Sequence, residues 1–137
     1  MMFYLGMPIN NGKVGSRDGE GLLRARRVRD ALELLTGDSC TSRWIDHPFQ
    51  NQDAYLKTVA VTDICDVAMA DYVIVLPLTT TCRGTHVEMG LALAWGKPTY
   101  LYVPSGRDPM AFDELCLKLP EPWRFVIEEA LAGRSPP

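Results

Sequence analysis

The sequence predicts a three-layer α/β sandwich, in which helices cover both faces of a mainly parallel sheet of about four to five strands. Residues 72–76 form a continuous apolar run of β-branched and aromatic side chains, which is typical of a strand buried on both faces. Similar short runs alternate along the chain with segments of helical periodicity, and this alternation favours parallel strands joined by right-handed crossovers. Residues 1–137 contain no internal repeat and are expected to form a single domain.

The first half of the chain is expected to supply two strands and one or two long helices. The helical periodicity of apolar residues begins at Arg17 or Asp18 and ends at a glycine suited to a helix terminus. The loop after the first strand is rich in glycine and asparagine, which permit a tight turn near a ligand. The predicted elements are strand Met2–Leu5, loop Gly6–Gly12, a helix ending at Gly37, strand Cys40–Ile45, a helix from Gln52 to about Val61, and Thr62–Met69, which either continues that helix or forms another.

The second half is expected to contain two further strands and three helices. Turn residues and prolines mark the boundaries of these elements, and Pro122 suits the first turn of a helix. The predicted elements are strand Tyr72–Leu76 ended by Pro77, loop Thr79–Gly84, a helix capped by Thr85 and closed by Gly96 and Pro98, strand Thr99–Val103, a short helix Met110–Leu117, and a final helix from Pro122 through Leu131.

Composition excludes several classes of function. The net charge of −3 argues against a general nucleic-acid binder, which needs a basic surface. The four cysteines form no CxxC pair and the chain has only two histidines, so a structural zinc site is not expected. No apolar run approaches the roughly 20 residues that a membrane helix requires, and the chain begins with a strand in place of a signal sequence. We therefore expect a soluble, cytoplasmic protein with reduced thiols.

The most informative segment joins the strand at 72–76 to the following helix. Ligands of open α/β sheets bind at the carboxyl ends of the strands, where this polar loop is expected to lie. Glu88 follows on the first turn of the helix, where the helix dipole would keep a carboxylate ionised. A structural alternative is a capping box, in which Thr85 caps the helix and Glu88 bonds back to the amide of Thr85.

Three segments taken together resemble the nucleoside 2-deoxyribosyltransferase-like family, which includes nucleoside-monophosphate N-glycosidases. They are Tyr4–Pro8, Asp63–Asp71 and Arg83–Gly90, and the similarity spans roughly residues 2–103. The resemblance implies a flavodoxin-like (Rossmann-like) sheet and cleavage of the bond between a nucleobase and C1′ of a ribose or deoxyribose. It implies that the sugar passes to water or to another base, and the residue types leave hydrolase and transferase equally open.

The resemblance also assigns roles to individual residues. Glu88 matches the nucleophilic glutamate, Asp63 the acid that positions or protonates the leaving base, and Tyr4 the tyrosine that orients the glutamate. One carboxylate near C1′ and one proton donor near the base suit a reaction that separates charge in this way. Without the resemblance, Asp63 could be a solvated or capping residue and Tyr4 a packed aromatic.

Further residues are candidates for binding the substrate and a 5′-phosphate, through hydroxyls, amides and arginines near a helix start. They are Gly6, Pro8, Asn10, Asn11, Arg17, Thr81, Arg83, Gly84, Thr85 and His86. The loop that begins at Met7 lacks the glycine- and serine-rich pattern of the monophosphate hydrolases, so the requirement for a phosphate stays open. The proposed chemistry needs no metal or organic cofactor, and the resemblance implies a homodimer or other homo-oligomer. The alternative function is a non-catalytic module that binds a nucleotide or a nucleotide-derived signal in the same crevice.

Overall fold

The computed structural model describes residues 1–8, 19–46, 53–79 and 82–134. It contains a five-stranded, all-parallel sheet in the order β2-β1-β3-β4-β5. This order, with helices between the strands, is that of a flavodoxin/Rossmann-like fold and confirms the predicted fold class. The strands are β1 (Met2–Gly6), β2 (Ser39–Cys40), β3 (Tyr72–Val75), β4 (Thr99–Leu101) and β5 (Leu117–Lys118).

Helices pack in pairs to form the two outer layers. The helix α1 packs against α4, and α2 packs against α3. Their bounds are α1 (Gly19–Thr36), α2 (Asp53–Met69), α3 (Arg83–Ala94) and α4 (Glu121–Leu131). None of the helices in the described ranges is long and apolar enough to cross a membrane.

Several elements follow directly from the sequence pattern. All four residues of β3 are buried, as expected of a central strand covered on both faces. Helix α1 ends at Thr36, directly before Gly37, whose φ of 73° is accessible to glycine at low cost. Pro122 lies in the first turn of α4, where its missing N–H leaves no helical bond unmade. The segment 53–69 is one continuous helix, which decides between the two alternatives for 62–69.

The strand predicted at Cys40–Ile45 is wrong beyond Cys40. The Ser42 hydroxyl accepts a hydrogen bond from Leu5 N–H at 2.8 Å and donates one to Leu5 O at 2.9 Å. Trp44 Nε1–H also donates to Leu5 O, at 3.2 Å. These side chains take the partners that a longer β2 would have used, so the chain turns into a 3-10 helix over Arg43–Ile45.

The short helix predicted at Met110–Leu117 is also wrong in part. The segment forms a 3-10 helix over Ala111–Leu115 and then the edge strand β5. Asp113 accepts a hydrogen bond from Met110 N–H at 3.0 Å, which fixes a tight turn at the start of the segment. Strand β5 has only two residues, both exposed, so no apolar run in the sequence reveals it.

The sheet order places the candidate site. From β1 the chain crosses to β2 on one side, whereas from β3 it crosses to β4 on the other side. The carboxyl ends of β1 and β3 therefore lie at the point where the direction of winding reverses. Crevices at such points are where open α/β sheets bind ligands.

Candidate active site

Helix α3 starts earlier than the sequence predicts, and this moves Glu88 out of its first turn. Cys82 is the N-cap and Arg83 the first helical residue, so Thr85 lies inside the helix and is buried. The Cys82 thiol donates to Thr79 O at 2.8 Å, and this contact belongs to the turn that begins the helix. The expected Thr85 cap is wrong, and with it the capping-box alternative for Glu88. Glu88 lies in the second turn, beyond the free amides at the helix start.

The Glu88 carboxyl lies against the backbone of β1. A Cβ atom placed on Gly6 would be 2.7 Å from Glu88 Oε2 and 3.5 Å from Tyr4 Cε1. No side chain at position 6 would leave the carboxyl where it is, because real Cβ atoms do not approach an oxygen so closely. Gly6 therefore serves the site by making room for Glu88.

Tyr4 presents its hydroxyl to the same carboxyl from within β1. The residue is fully buried. Burial raises the pKa of the Tyr4 hydroxyl well above its usual value, and the negative charges of Glu88 and Asp63 add to this. Tyr4 therefore stays protonated and is able to donate a hydrogen bond.

Asp63 approaches from α2 and is half-buried. Burial raises the pKa of Asp63 to about 7, with a further contribution from the charge of Asp66, while Arg43 acts in the opposite direction. A carboxyl with this pKa is able to hold or give up a proton near neutral pH, as a general acid must.

The pKa of Glu88 is also raised, to about 8, chiefly by burial and then by the charge of Asp63, whereas the Tyr4 hydroxyl lowers it. The expectation that Glu88 stays ionised is therefore wrong for the free site. Burial against Gly6 outweighs the helix dipole, which acts mainly within the first turn.

Three polar atoms in this cluster are buried without a hydrogen-bond partner among the described residues: Tyr4 Oη, Asp63 Oδ1 and Glu88 Oε2. Tyr4 and Glu88 influence each other's protonation, so they are close, but their geometry falls outside that of an aligned hydrogen bond. Buried polar groups are usually paired, because an unmet hydrogen bond costs about 1–3 kcal/mol. Unmet groups from β1, α2 and α3 therefore converge at one place, as in a site that is completed by a ligand.

Asp66 and Arg43 form an ion pair close to Asp63, which the sequence did not predict. Asp66 is 1% exposed and accepts hydrogen bonds from Arg43 N–H at 3.0 Å and from Arg43 Nε at 2.8 Å. The spacing of Asp63 and Asp66 could have indicated that Asp66 lies beside Asp63, since residues three apart in a helix lie on the same face. The pair anchors the turn after β2 to α2 and adds charge beside Asp63.

Of the eight remaining residues predicted to bind the substrate, the structure describes four. Pro8 is half-buried after β1, and Gly84 is exposed with open space around the position of a Cβ. Arg83 is exposed on the first turn of α3, whereas both ring nitrogens of His86 are engaged by protein groups. Four predicted residues lie outside the described ranges: Asn10, Asn11, Arg17 and Thr81.

No group of three or more His, Cys, Asp and Glu residues within the described ranges is arranged to hold a metal ion. The chain matches no protein-family model, and a search of curated proteins gave no match. The Tyr4, Asp63 and Glu88 cluster therefore defines the candidate site by its geometry.

Proposed function

We propose that this protein cleaves the N-glycosidic bond of a nucleoside or nucleoside 5′-monophosphate and passes the sugar to water or to another base. The observation that carries the proposal is the convergence of Tyr4, Asp63 and Glu88, whose buried polar atoms have no partner among the described residues. These are the three residues that the resemblance to deoxyribosyltransferase-like proteins assigns to the reaction, and they come from distant parts of the chain.

The chemistry of the cluster fits the reaction. Cleavage of the bond places positive charge on C1′ and negative charge on the departing base. Glu88 attacks C1′ to form a glycosyl ester, and Asp63 gives its proton to the base as the carbon–nitrogen bond breaks. Water or a second base then takes the sugar from Glu88, and the retained configuration at C1′ follows from two successive displacements.

Substrate binding has to redistribute the protons of the two carboxyls. In the free site burial raises the pKa of Glu88 to about 8 and that of Asp63 to about 7, so both carboxyls are able to hold a proton near neutral pH. Positive charge developing at C1′ favours ionised Glu88, and negative charge on the base favours protonated Asp63. The substrate thereby favours ionised Glu88 beside protonated Asp63, and the Tyr4 hydroxyl assists by donating to the Glu88 carboxylate.

A 5′-phosphate, where the substrate has one, is proposed to lie at the amino end of α3. Arg83 is exposed there and the first amides of a helix favour anions.

A nucleic-acid polymer is not a proposed substrate, because the chain has a net charge of −3. We also place the protein in the cytoplasm, where the thiols of its four cysteines, all in described residues and free of disulfides, stay reduced.

A homodimer is proposed to form through the outer face of α2 and α3. These helices pack together and leave large apolar side chains exposed on α2, on α3 and at the residue after α3. They are Val61, Ile64, Val87 and Trp95. Light scattering coupled to size-exclusion chromatography should give twice the chain mass, and the double variant Ile64→Glu/Val87→Glu should give one chain mass; a monomeric wild type at assay concentration would exclude this interface.

Product analysis tests the proposed reaction. Wild type and Glu88→Ala are incubated with a panel of nucleosides and 5′-monophosphates, each with and without an acceptor base, and free base is measured by chromatography. We expect wild type alone to release base. A new nucleoside formed only with acceptor would identify a transferase. Binding without release, unchanged in Glu88→Gln, would instead establish the non-catalytic module.

A further inference from the structure

A second buried polar network links the start of α3 to the loop after β4. Arg107 Nη2 lies 3.3 Å from His86 Nε2, and His86 Nδ1 lies 2.9 Å from Cys82 O. Arg107 also forms a two-pronged ion pair with Asp113, in which Nη2 donates to Oδ1 at 3.1 Å and Nη1 donates to Oδ2. The side chains of Arg107 and Asp113 are only 9% and 18% exposed.

The partners of His86 determine where its ring carries the proton. A backbone carbonyl only accepts hydrogen bonds, so the Nδ1 atom facing Cys82 O must carry a hydrogen. A guanidinium only donates, so the Nε2 atom facing Arg107 must be unprotonated. Both contacts assign the same neutral form, with hydrogen on Nδ1.

This assignment removes one chemical possibility for the thiol nearby. Cys82 Sγ lies 3.6 Å from His86 Nδ1, a separation that could suggest a cysteine–histidine pair. With hydrogen on Nδ1, the ring has no lone pair to offer the thiol, and the thiol itself donates to Thr79 O. Cys82 and His86 are therefore structural partners in this network.

We propose that Arg107 is a positioning residue, which holds His86 in its Nδ1–H form and so fixes the first turn of α3 that precedes Glu88. Cys82 O accepts from both the backbone N–H of His86, at 3.2 Å, and its Nδ1. The ring thus clamps the N-cap to the helix, and the Arg107–Asp113 pair holds the ring from the other side. The loop after β4 acts through this chain of contacts on the position of the Glu88 carboxyl, which has little freedom beside Gly6.

The form of the ring can be measured by long-range ¹H–¹⁵N NMR on protein labelled with ¹⁵N-histidine. His47 is the only other histidine, so the variant His47→Gln assigns the two rings. In the neutral ring, we expect His86 to show protonated Nδ1 and unprotonated Nε2. A wild-type ring with hydrogen on Nε2 would overturn the inference.

Substitutions test whether Arg107 causes this preference. In Arg107→Met the ratio of the Nδ1–H to the Nε2–H form should fall about tenfold, because a charged donor is lost. Asp113→Asn keeps the guanidinium but loosens its orientation, so it should shift the ratio less and in the same direction. The matched control is Arg134→Met, whose guanidinium pairs with Glu129 at the far end of α4 and which should leave the ratio unchanged. An unchanged ratio in folded Arg107→Met would contradict the proposal.

The consequence for catalysis rests on the proposed function. Arg107→Met should lower kcat about tenfold with little change in KM, because it displaces a reacting group without removing a substrate contact. Arg134→Met should alter neither constant. Failure of wild type to release any base would count against the proposed function, while the NMR result would still decide the positioning inference. Normal kcat in Arg107→Met, with a shifted ring, would show that the network does not position Glu88.

Discussion

Asp63 and Asp66 lie three residues apart on α2 but differ in their hydrogen-bond partners. Asp66 is almost completely buried, but the backbone and side chain of Arg43 satisfy both of its oxygens. Asp63 is less buried, yet its Oδ1 has no partner in the described part of the chain and its pKa rises to about 7. The depth of burial alone therefore does not identify a reactive carboxyl; the missing partner does.

The same contrast separates the two networks around α3. Asp113 is held by Arg107, which lowers the pKa of its carboxyl although burial acts to raise it. Beside Glu88 lie Asp63 and Tyr4, and burial raises the pKa of Glu88 to about 8, with a further contribution from the charge of Asp63. Asp66 and Asp113 pair with arginines and hold the turns after β2 and β4. Asp63 and Glu88 lie at the carboxyl end of β1, and each has a buried oxygen without a partner among the described residues. These oxygens cost stability, which is what a site reserved for a ligand is expected to do.

The largest expected effect, on the rate of base release, distinguishes Asp63 as the proposed acid from Glu88 as the proposed nucleophile. Asp63→Asn should slow base release from ordinary purine nucleosides by about 10²- to 10⁴-fold, because the base then leaves without a proton. The loss should shrink to about tenfold or less with N7-methylated purines, whose cationic base leaves without protonation. Glu88→Gln should be inactive on both substrates. Equal losses on both substrates in Asp63→Asn would remove the acid role.

A smaller effect on activity is expected when an atom is placed against the Glu88 carboxyl and Glu88 itself is unchanged. Gly6→Ala places a Cβ 2.7 Å from Glu88 Oε2, so the carboxyl must move. We expect kcat to fall by about 10²-fold, the usual cost of misplacing a reacting group by about 1 Å. Gly90→Ala in α3 is the matched control, since its Cβ would enter open space. Steady-state kinetics of the two variants would show the distinction, and equal activities would mean that Glu88 does not need its observed position.

The two aspartates should respond in opposite directions when each is changed to asparagine. Asp66→Asn should lower the free energy of unfolding by about 1–3 kcal/mol, because the charged hydrogen bonds to Arg43 are lost. Asp63→Asn should raise it by about 1 kcal/mol at pH 8, because no unpaired charge is then buried; partial exposure limits the gain. Urea unfolding of both variants measures this. A destabilised Asp63→Asn would indicate a structural partner for Asp63.

The smallest expected effect is a dependence of stability on pH. Folded Asp63 and Glu88 keep their protons up to pKa values of about 7 and 8, whereas unfolded carboxyls lose theirs near pH 4. The folded state binds more protons across this window, so these groups make stability fall as pH rises from about 4 to about 8. Glu88→Gln should therefore raise Tm relative to wild type by a few degrees more at pH 8 than at pH 5. A difference in Tm that does not depend on pH would contradict the raised pKa of Glu88.

The sequence predicted elements whose causes are local. The apolar run of β3 and the proline at the start of α4 each determine their element with neighbouring residues alone. The end of β2 could not be predicted in this way, since Ser42 and Trp44 bond to Leu5 in a different strand. The start of α3 was mispredicted because Thr85 is a better cap by residue type than Cys82, whose thiol contact with Thr79 depends on the loop conformation.

The sequence proposed Glu88 and Asp63 as the acids of the site, but it did not predict their raised pKa values. Glu88, Asp63 and Tyr4 come together as the motif resemblance implied. The raised pKa of Glu88 arises from its burial against β1, a contact between residues far apart in the chain. The Arg43–Asp66 and Arg107–His86 contacts were missed for the same reason.

The central claim is that the site contains two coupled carboxyls, each with a buried oxygen that has no partner among the described residues. Titration of the side-chain carboxyl carbons by ¹³C NMR tests it directly, with Asp63→Asn and Glu88→Gln assigning the two signals. We predict that in the free wild type both groups titrate near neutral pH, about 7 for Asp63 and about 8 for Glu88. Asp63→Asn should lower the midpoint of Glu88, because the negative charge of Asp63 contributes to its raised pKa. Titration of every carboxyl below about pH 5 would contradict the account.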